Sequence, residues 1–126
     1  MSLVIKSIHH ASFIVQDLDE SLAFYCDLLG LTIDTSRPEM RFSGAWLQVG
    51  EQQQIHLLVL PNPDSTTDRP EHGGRDRHVA LVVNSVQQLA DKLTQAKRDF
   101  TMSKSGRHAL FVRDPDGNTL EFVEAT

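Results

Sequence analysis

The sequence predicts an α+β fold: two βαβββ modules in a pseudo-twofold arrangement, forming a curved mixed sheet around a metal site. Three observations predict it. A histidine that opens an apolar strand, followed by a capped helix, occurs twice, at His10-Ala11-Ser12-Phe13-Ile14-Val15-Gln16-Asp17-Leu18 and at His78-Val79-Ala80-Leu81-Val82-Val83-Asn84-Ser85-Val86. Later in each copy, Ile55-His56-Leu57 is echoed by Leu120-Glu121-Phe122. The chain has 126 residues, one domain's worth and enough to bury a core. An internal repeat decides the architecture before any local reading does. It divides the chain into module one (1–61), a linker (62–75) and module two (76–126).

Module one opens with an expected strand over residues 4–15, where β-branched residues alternate around the two histidines. Asp17 is placed as an N-cap, with Glu20 three residues later. Leu18, Leu22, Tyr25, Leu28 and Leu29 fall on one helical face, and Gly30 stops the helix. Strands are expected over 31–35, 42–49 and 54–60, with a turn at Gly50-Glu51. The linker is rich in Pro, Asp, Thr and Gly. Module two repeats the plan. A strand over 78–83 leads to a cap at Ser85 with Gln88, then to a helix burying Val86, Leu89, Leu93 and Ala96. Strands follow over 100–103, 108–113 and 119–124. The last two are joined by Asp114-Pro115-Asp116-Gly117, with Pro and Gly where a tight turn needs fixed and positive φ.

Strand parity then assigns faces. Pairing Leu47 with Gln54 and Val112 with Thr119 puts His56 on a face with Ala45 and Leu47, and Glu121 with Leu110 and Val112. That face, with Ser12, Ile14, Leu58, Leu60, Ala80 and Val82, lines an apolar hollow. Trp46, Phe111, Ile55, Leu57, Leu120 and Phe122, with His9, Phe13 and Leu81, go to the side where the helices pack.

Composition excludes several classes. Net charge is −5 and no Lys/Arg cluster forms a stripe, which argues against a nucleic-acid partner. No apolar run approaches a membrane span, and Lys6, His9 and His10 interrupt the N-terminal segment too early for a signal-peptide core. A single cysteine, Cys26, makes no internal disulfide and fits a reducing cytoplasm. The expectation is a soluble cytoplasmic protein acting on a small molecule.

The chemistry rests on four residues. The repeat pairs His10 with His78 and His56 with Glu121, so three imidazoles and one carboxylate share a hollow. Such a set suits one divalent transition metal: Fe, Mn, Co, Ni or Zn. A glutamate buried in the apolar run Leu120-Glu121-Phe122-Val123 needs charge compensation, which a metal offers. Glu121 is the only carboxylate of the set and the candidate catalytic base. Each module supplies only two ligands, so a complete site needs two modules face to face, within one chain or swapped between the chains of a homodimer.

At these residues the chain resembles the vicinal oxygen chelate superfamily of glyoxalase I, methylmalonyl-CoA epimerase, fosfomycin-resistance thiol transferases, extradiol dioxygenases and bleomycin-resistance proteins. The resemblance lies in His10…Asp17-Leu18…Ser21-Leu22-Ala23-Phe24-Tyr25 with Leu28-Leu29-Gly30-Leu31, in the strand opened by His78, and in Asp114-Pro115-Asp116-Gly117-Asn118…Glu121. It implies metal ligation by His10, His56, His78 and Glu121, and a site at the subunit interface of a homodimer. His56 stands where glyoxalase I-like members carry a glutamate and the epimerases a glutamine, so it removes the second carboxylate of a two-base mechanism. The resemblance implies a metal-dependent isomerase or lyase of the glyoxalase type. The alternatives are a thiol transferase of the fosfomycin-resistance type, a ring-cleaving dioxygenase and a non-catalytic drug-binding protein.

Of the remaining polar residues, Arg75 and Arg77 in the Gly73-Gly74 segment are candidates for an anionic substrate, because arginine forks match carboxylates and phosphates. His108 shares the hollow's face in this register and is a third candidate. His9 is read as structural, and Arg37, Arg41 and Arg107 as solvated charges.

Overall fold

The computed structural model describes residues 2–126; Met1, the first residue of the module-one span, lies outside them. Module one contains β1 (His10–Val15), α1 (Leu18–Leu22), β2 (Thr32–Ile33), β3 (Gly44–Val49) and β4 (Gln53–Val59). Module two contains β5 (His78–Val83), α2 (Val86–Gln95), β6 (Phe100–Met102), β7 (Ala109–Arg113) and β8 (Thr119–Glu124). Two four-stranded sheets result, ordered β1-β4-β3-β2 and β5-β8-β7-β6. In each, the first strand runs parallel to the last and the others are antiparallel. The two-module α+β architecture follows the repeat, but as two sheets instead of one continuous curved sheet.

The helices start where the caps place them. Asp17 accepts from the Glu20 N–H at 3.1 Å and Ser85 from the Gln88 N–H at 3.1 Å. After Leu22 the first helix widens into π geometry over Ala23–Leu28, where Leu29 N–H donates to Phe24 C=O. Phe24 and Tyr25, adjacent in sequence, are both buried there. Gly30 follows at φ +82°, the left-handed position that ends the helix without a Cβ penalty. On α2 the buried residues are Val86, Leu89 and Leu93.

β1 is shorter than expected. It begins at His10, and Leu3, Val4, Ile5 and Ile8 before it are exposed instead of paired. Alternation alone does not make a strand, because a strand needs a neighbour for its backbone groups.

The hairpin register differs by one residue from the expected one. Leu47 lies opposite Ile55 and Val112 opposite Leu120, because Gly50-Glu51-Gln52 forms the first connection and the turn extends through Asn118 in the second. A one-residue slip exchanges the two faces of the slipped strand. Ala45, Leu47, Leu110 and Val112 therefore enter the core beside Ile55, Leu57, Leu120 and Phe122. Trp46 and Phe111 move to the open face with His56 and Glu121. The first and last strands of each module keep their expected faces.

One core joins the modules, and polar contacts lock them. Tyr25 Oη donates to the buried Asp114 Oδ2 at 2.8 Å, Gln16 N–H to Asp116 Oδ1 at 2.9 Å, and Asn118 Nδ2 to Ile14 C=O at 3.1 Å. Gly117, at φ +85°, passes so close to the linker that a Cβ would lie 2.7 Å from Thr66 C=O. Among the described residues no helix is long and apolar enough to cross a membrane.

Candidate functional site

The open faces of the two sheets carry the four residues singled out by the repeat, and the register places them identically. His56 lies opposite Ser12, two residues past His10; Glu121 lies opposite Ala80, two residues past His78. The third strand adds an aromatic neighbour each time, Trp46 beside His56 and Phe111 beside Glu121.

In module two the pair comes together. His78 Nε2 is 3.1 Å from Glu121 Oε1, and the Glu121 side chain is only 4% exposed. His78 Nδ1 is 2.9 Å from the Asp76 carbonyl, which only accepts, so Nδ1 carries the proton and Nε2 faces the carboxylate. Two lone-pair-bearing atoms that close need a proton or a cation between them. Two donors about 2.1 Å from one ion and at right angles to it would stand about 3.0 Å apart. The pair thus fits half of a divalent-metal site, and the carbonyl behind His78 supplies the outer contact that fixes a ligating imidazole.

Module one has the residue types but a different arrangement. The His56 ring is stacked between His10 (centroids 3.9 Å apart, planes 14° apart) and Trp46 (4.7 Å, 11°). His56 Nε2 lies 2.8 Å from Gln54 Oε1, and His10 Nδ1 lies 2.8 Å from His9 Nδ1. His9, expected on the helix side, is exposed and edge-on to His10. Ring nitrogens lie in the ring plane, so stacked rings do not aim them at one point, and a common ion would require one ring to turn. Burial, then the neighbouring His10 and His9, pushes the His56 imidazole below the usual histidine range, favouring the neutral form that ligates. Among the described residues no three His, Cys, Asp or Glu side chains gather into a metal-holding group. The expected single-hollow quartet is thus two separate pairs within the chain.

A cavity of about 300 Å³ lies at the seam of β1, β5 and the linker, lined among others by Ser12, Ile14, Asp64, Arg77, His78 and Asn118. Arg77 is there but is paired with Asp64. Arg75 ends a 3₁₀ turn, Gly73–Arg75, and is exposed. His108 falls on the parity opposite to Glu121 and lies 3.2 Å from Glu124, so its expected place on the hollow's face is corrected with the register. The same slip brings in a residue read as solvated: Arg107 Nη2 donates to Glu121 Oε2 at 2.8 Å. Its signal was its parity with Phe111. A second group missed in the sequence is Asp76, which accepts from Arg69 Nε at 2.9 Å and Arg113 Nη1 at 2.7 Å. The Arg69 bonds, followed by those from Arg113 and the Arg77 N–H, hold its carboxyl well below the usual range against the opposing effect of burial.

Paired βαβββ modules, each with a histidine opening its first strand and a polar residue facing it from the last, define a glyoxalase-like protein. The chain belongs to the Glyoxalase/Bleomycin resistance protein/Dioxygenase superfamily, which it matches over residues 7–122. It is 34% identical over 128 residues to the uncharacterized protein YwkD of Bacillus subtilis, covering 97% of this chain and 99% of that one. It is 33% identical over 125 residues to Glyoxylase I 4 of Arabidopsis thaliana, covering 94% of this chain and 71% of that protein. In fold it is similar to a glyoxylase/bleomycin resistance protein/dioxygenase domain from Frankia sp. EAN1pec, with TM-score 0.73 and 22% identity over 98% of this chain and 100% of that one.

Proposed function

We propose that the protein is a divalent-metal-dependent isomerase or lyase of the glyoxalase type, acting on a small substrate that chelates the ion through vicinal oxygens. The ion, one of Fe, Mn, Co, Ni or Zn, is held by His10, His56, His78 and Glu121. The observation that carries the reading is the His78–Glu121 pair, with its two atoms 3.1 Å apart and the carboxylate buried. The similarity to Glyoxylase I 4 supports it. When bound, the ion supplies Lewis-acid polarisation of a substrate oxygen, a contribution of several kcal/mol. Glu121, loosening its hold on the ion as substrate binds, takes on the freed oxygen the proton from the carbon beside the carbonyl and returns it to the neighbouring position. His78, oriented by the Asp76 carbonyl, keeps its donor nitrogen on the site. His56 carries no second basic oxygen, so proton transfer is one-sided.

The working unit is a homodimer in which module one of one chain meets module two of the other, bringing the two pairs together. The exposed apolar segment Leu3, Val4, Ile5 and Ile8 supports an assembly that covers it. Elemental analysis of wild type beside His78→Ala and Glu121→Ala tests the metal reading. Wild type is expected to hold one ion per chain and the variants far less, and equal content in all three would overturn it. A second reading rests on the Trp46–His56–His10 stack. If His56 is a bystander, His10, His78 and Glu121 form the three-ligand set of a thiol transferase of the fosfomycin-resistance type. His56→Ala retaining full metal content would favour that reading.

A further inference from the structure

We propose that Arg107 is a positioning residue for Glu121, holding its carboxylate so that a single oxygen, Oε1, is presented to the metal. The inference deepens the metal reading above and rests on it. The two oxygens of Glu121 are already divided. Oε2 accepts from Arg107 Nη2 at 2.8 Å, and Oε1 faces His78 Nε2 at 3.1 Å. A carboxylate free to rotate can offer both oxygens to an ion or neither. One anchored at Oε2 by a charge-assisted bond offers Oε1 in a fixed direction. The anchor comes from a different strand and loop than the carboxylate, since Arg107 precedes β7 and Glu121 lies in β8. Its side chain is 60% exposed while that of Glu121 is 4% exposed. The guanidinium is therefore reached from solvent and contributes little to the core, so it can be changed without unfolding the sheet.

Removing Arg107 has two opposed effects on a divalent cation. It frees the carboxylate to misorient, and it removes a nearby positive charge. The second effect joins a guanidinium that is 60% exposed to a largely buried carboxylate; about 1 M salt, with a screening length of about 3 Å, weakens it, and Arg107→Lys, which keeps the charge, isolates what is left. The first remains. Outer contacts of this kind typically change metal affinity by about 10–100-fold.

The test uses the full chain, stripped with a chelator and titrated with Co²⁺ in about 1 M potassium nitrate, following both heat and the visible d–d bands. Arg107→Met is expected to bind Co²⁺ about 10–100-fold more weakly than wild type. Its d–d spectrum is expected to change as Oε2 becomes free to ligate, while the metal-free variant stays folded at the titration temperature with a midpoint lowered by the donor that the buried carboxylate has lost. Arg107→Lys, which keeps the charge and one donor, is expected to fall between the two. Wild-type affinity and an unchanged spectrum in Arg107→Met would overturn the inference while leaving the metal reading intact. A wild-type chain that takes up no Co²⁺ would overturn both.

Discussion

His56 and Glu121 occupy the same place in two different sheets. Each lies opposite the residue two positions beyond the strand-opening histidine, and each has an aromatic ring on its other side. Equal positions do not carry equal chemistry. Glu121 is a buried carboxylate between the Arg107 guanidinium and the His78 ring nitrogen, whereas His56 is a ring in a three-layer stack. The repeat therefore builds the same frame twice and places a carboxylate in it only once.

That asymmetry makes Glu121→Gln informative. The variant keeps the shape and an oxygen donor but loses the basic oxygen. Turnover on a substrate identified from a panel of vicinally oxygenated carbonyl compounds should fall by about 10²–10⁴-fold, the usual contribution of general-base catalysis. Metal content should fall less than in Glu121→Ala. Near-normal turnover with metal retained would make Glu121 a ligand alone and move the thiol-transferase reading ahead.

Tyr25 and Asp114 tie the first helix of one module to the turn of the other through a buried hydrogen bond. Burial pushes the Asp114 carboxyl up, although bonds from Asn118, Tyr25 and nearby N–H groups oppose it. Tyr25→Phe leaves that carboxyl one donor short and should destabilise the chain by about 1–3 kcal/mol. Urea unfolding at neutral pH measures this; no change would mean that the Tyr25–Asp114 bond adds nothing to the lock between the modules.

The linker is anchored to module two through Asp76, whose carboxyl Arg69 and Arg113 hold far below the usual carboxylate range. A depressed carboxyl contributes stability that is fully present above the unfolded-state value, about 3.9. It is lost progressively as pH falls below that value toward the folded one. Wild type should therefore lose thermal stability on acidification below about pH 4. Asp76→Asn should be less stable at pH 7 by about 3 kcal/mol, having left two arginines without their carboxylate. Its pH profile in that acid range should be flatter. Parallel profiles for the two proteins would show that Asp76 does not report on acid stability.

Much of the architecture is legible in the residues. The Asp17 and Ser85 caps, the helix stop at Gly30 and the paired histidine strands are local signals that the structure keeps. What local signals lack is the length of a connection. Gly50-Glu51 and Asp114-Pro115-Asp116-Gly117 announce turns but not whether the next residue joins the loop or the ladder. That single residue exchanged Trp46 with Leu47, Phe111 with Val112, and Arg107 with His108 at the site. The Asp76–Arg69–Arg113 contacts were illegible for another reason, since they join the linker to β7 and no periodicity links those segments.

The proposed site spans two chains, and this has a consequence that a single-chain site does not share. In a dimer that pairs module one of one chain with module two of the other, His10→Ala damages the module-one half and Glu121→Ala the module-two half. Each variant alone damages both sites of its own dimer. When the two are mixed and their chains exchange, about half of the dimers should contain one of each. In such a dimer both damaged halves fall in the same site. The other site receives an intact module one from the Glu121→Ala chain and an intact module two from the His10→Ala chain. Tight metal binding should therefore return to about one quarter of the wild-type level on mixing. Elemental analysis after mild denaturation, co-refolding and gel filtration reads it directly. If the four ligands belong to one chain, every site in the mixture keeps a damaged half and no metal returns. A monomer by light scattering that still binds metal would likewise put all four ligands in one chain.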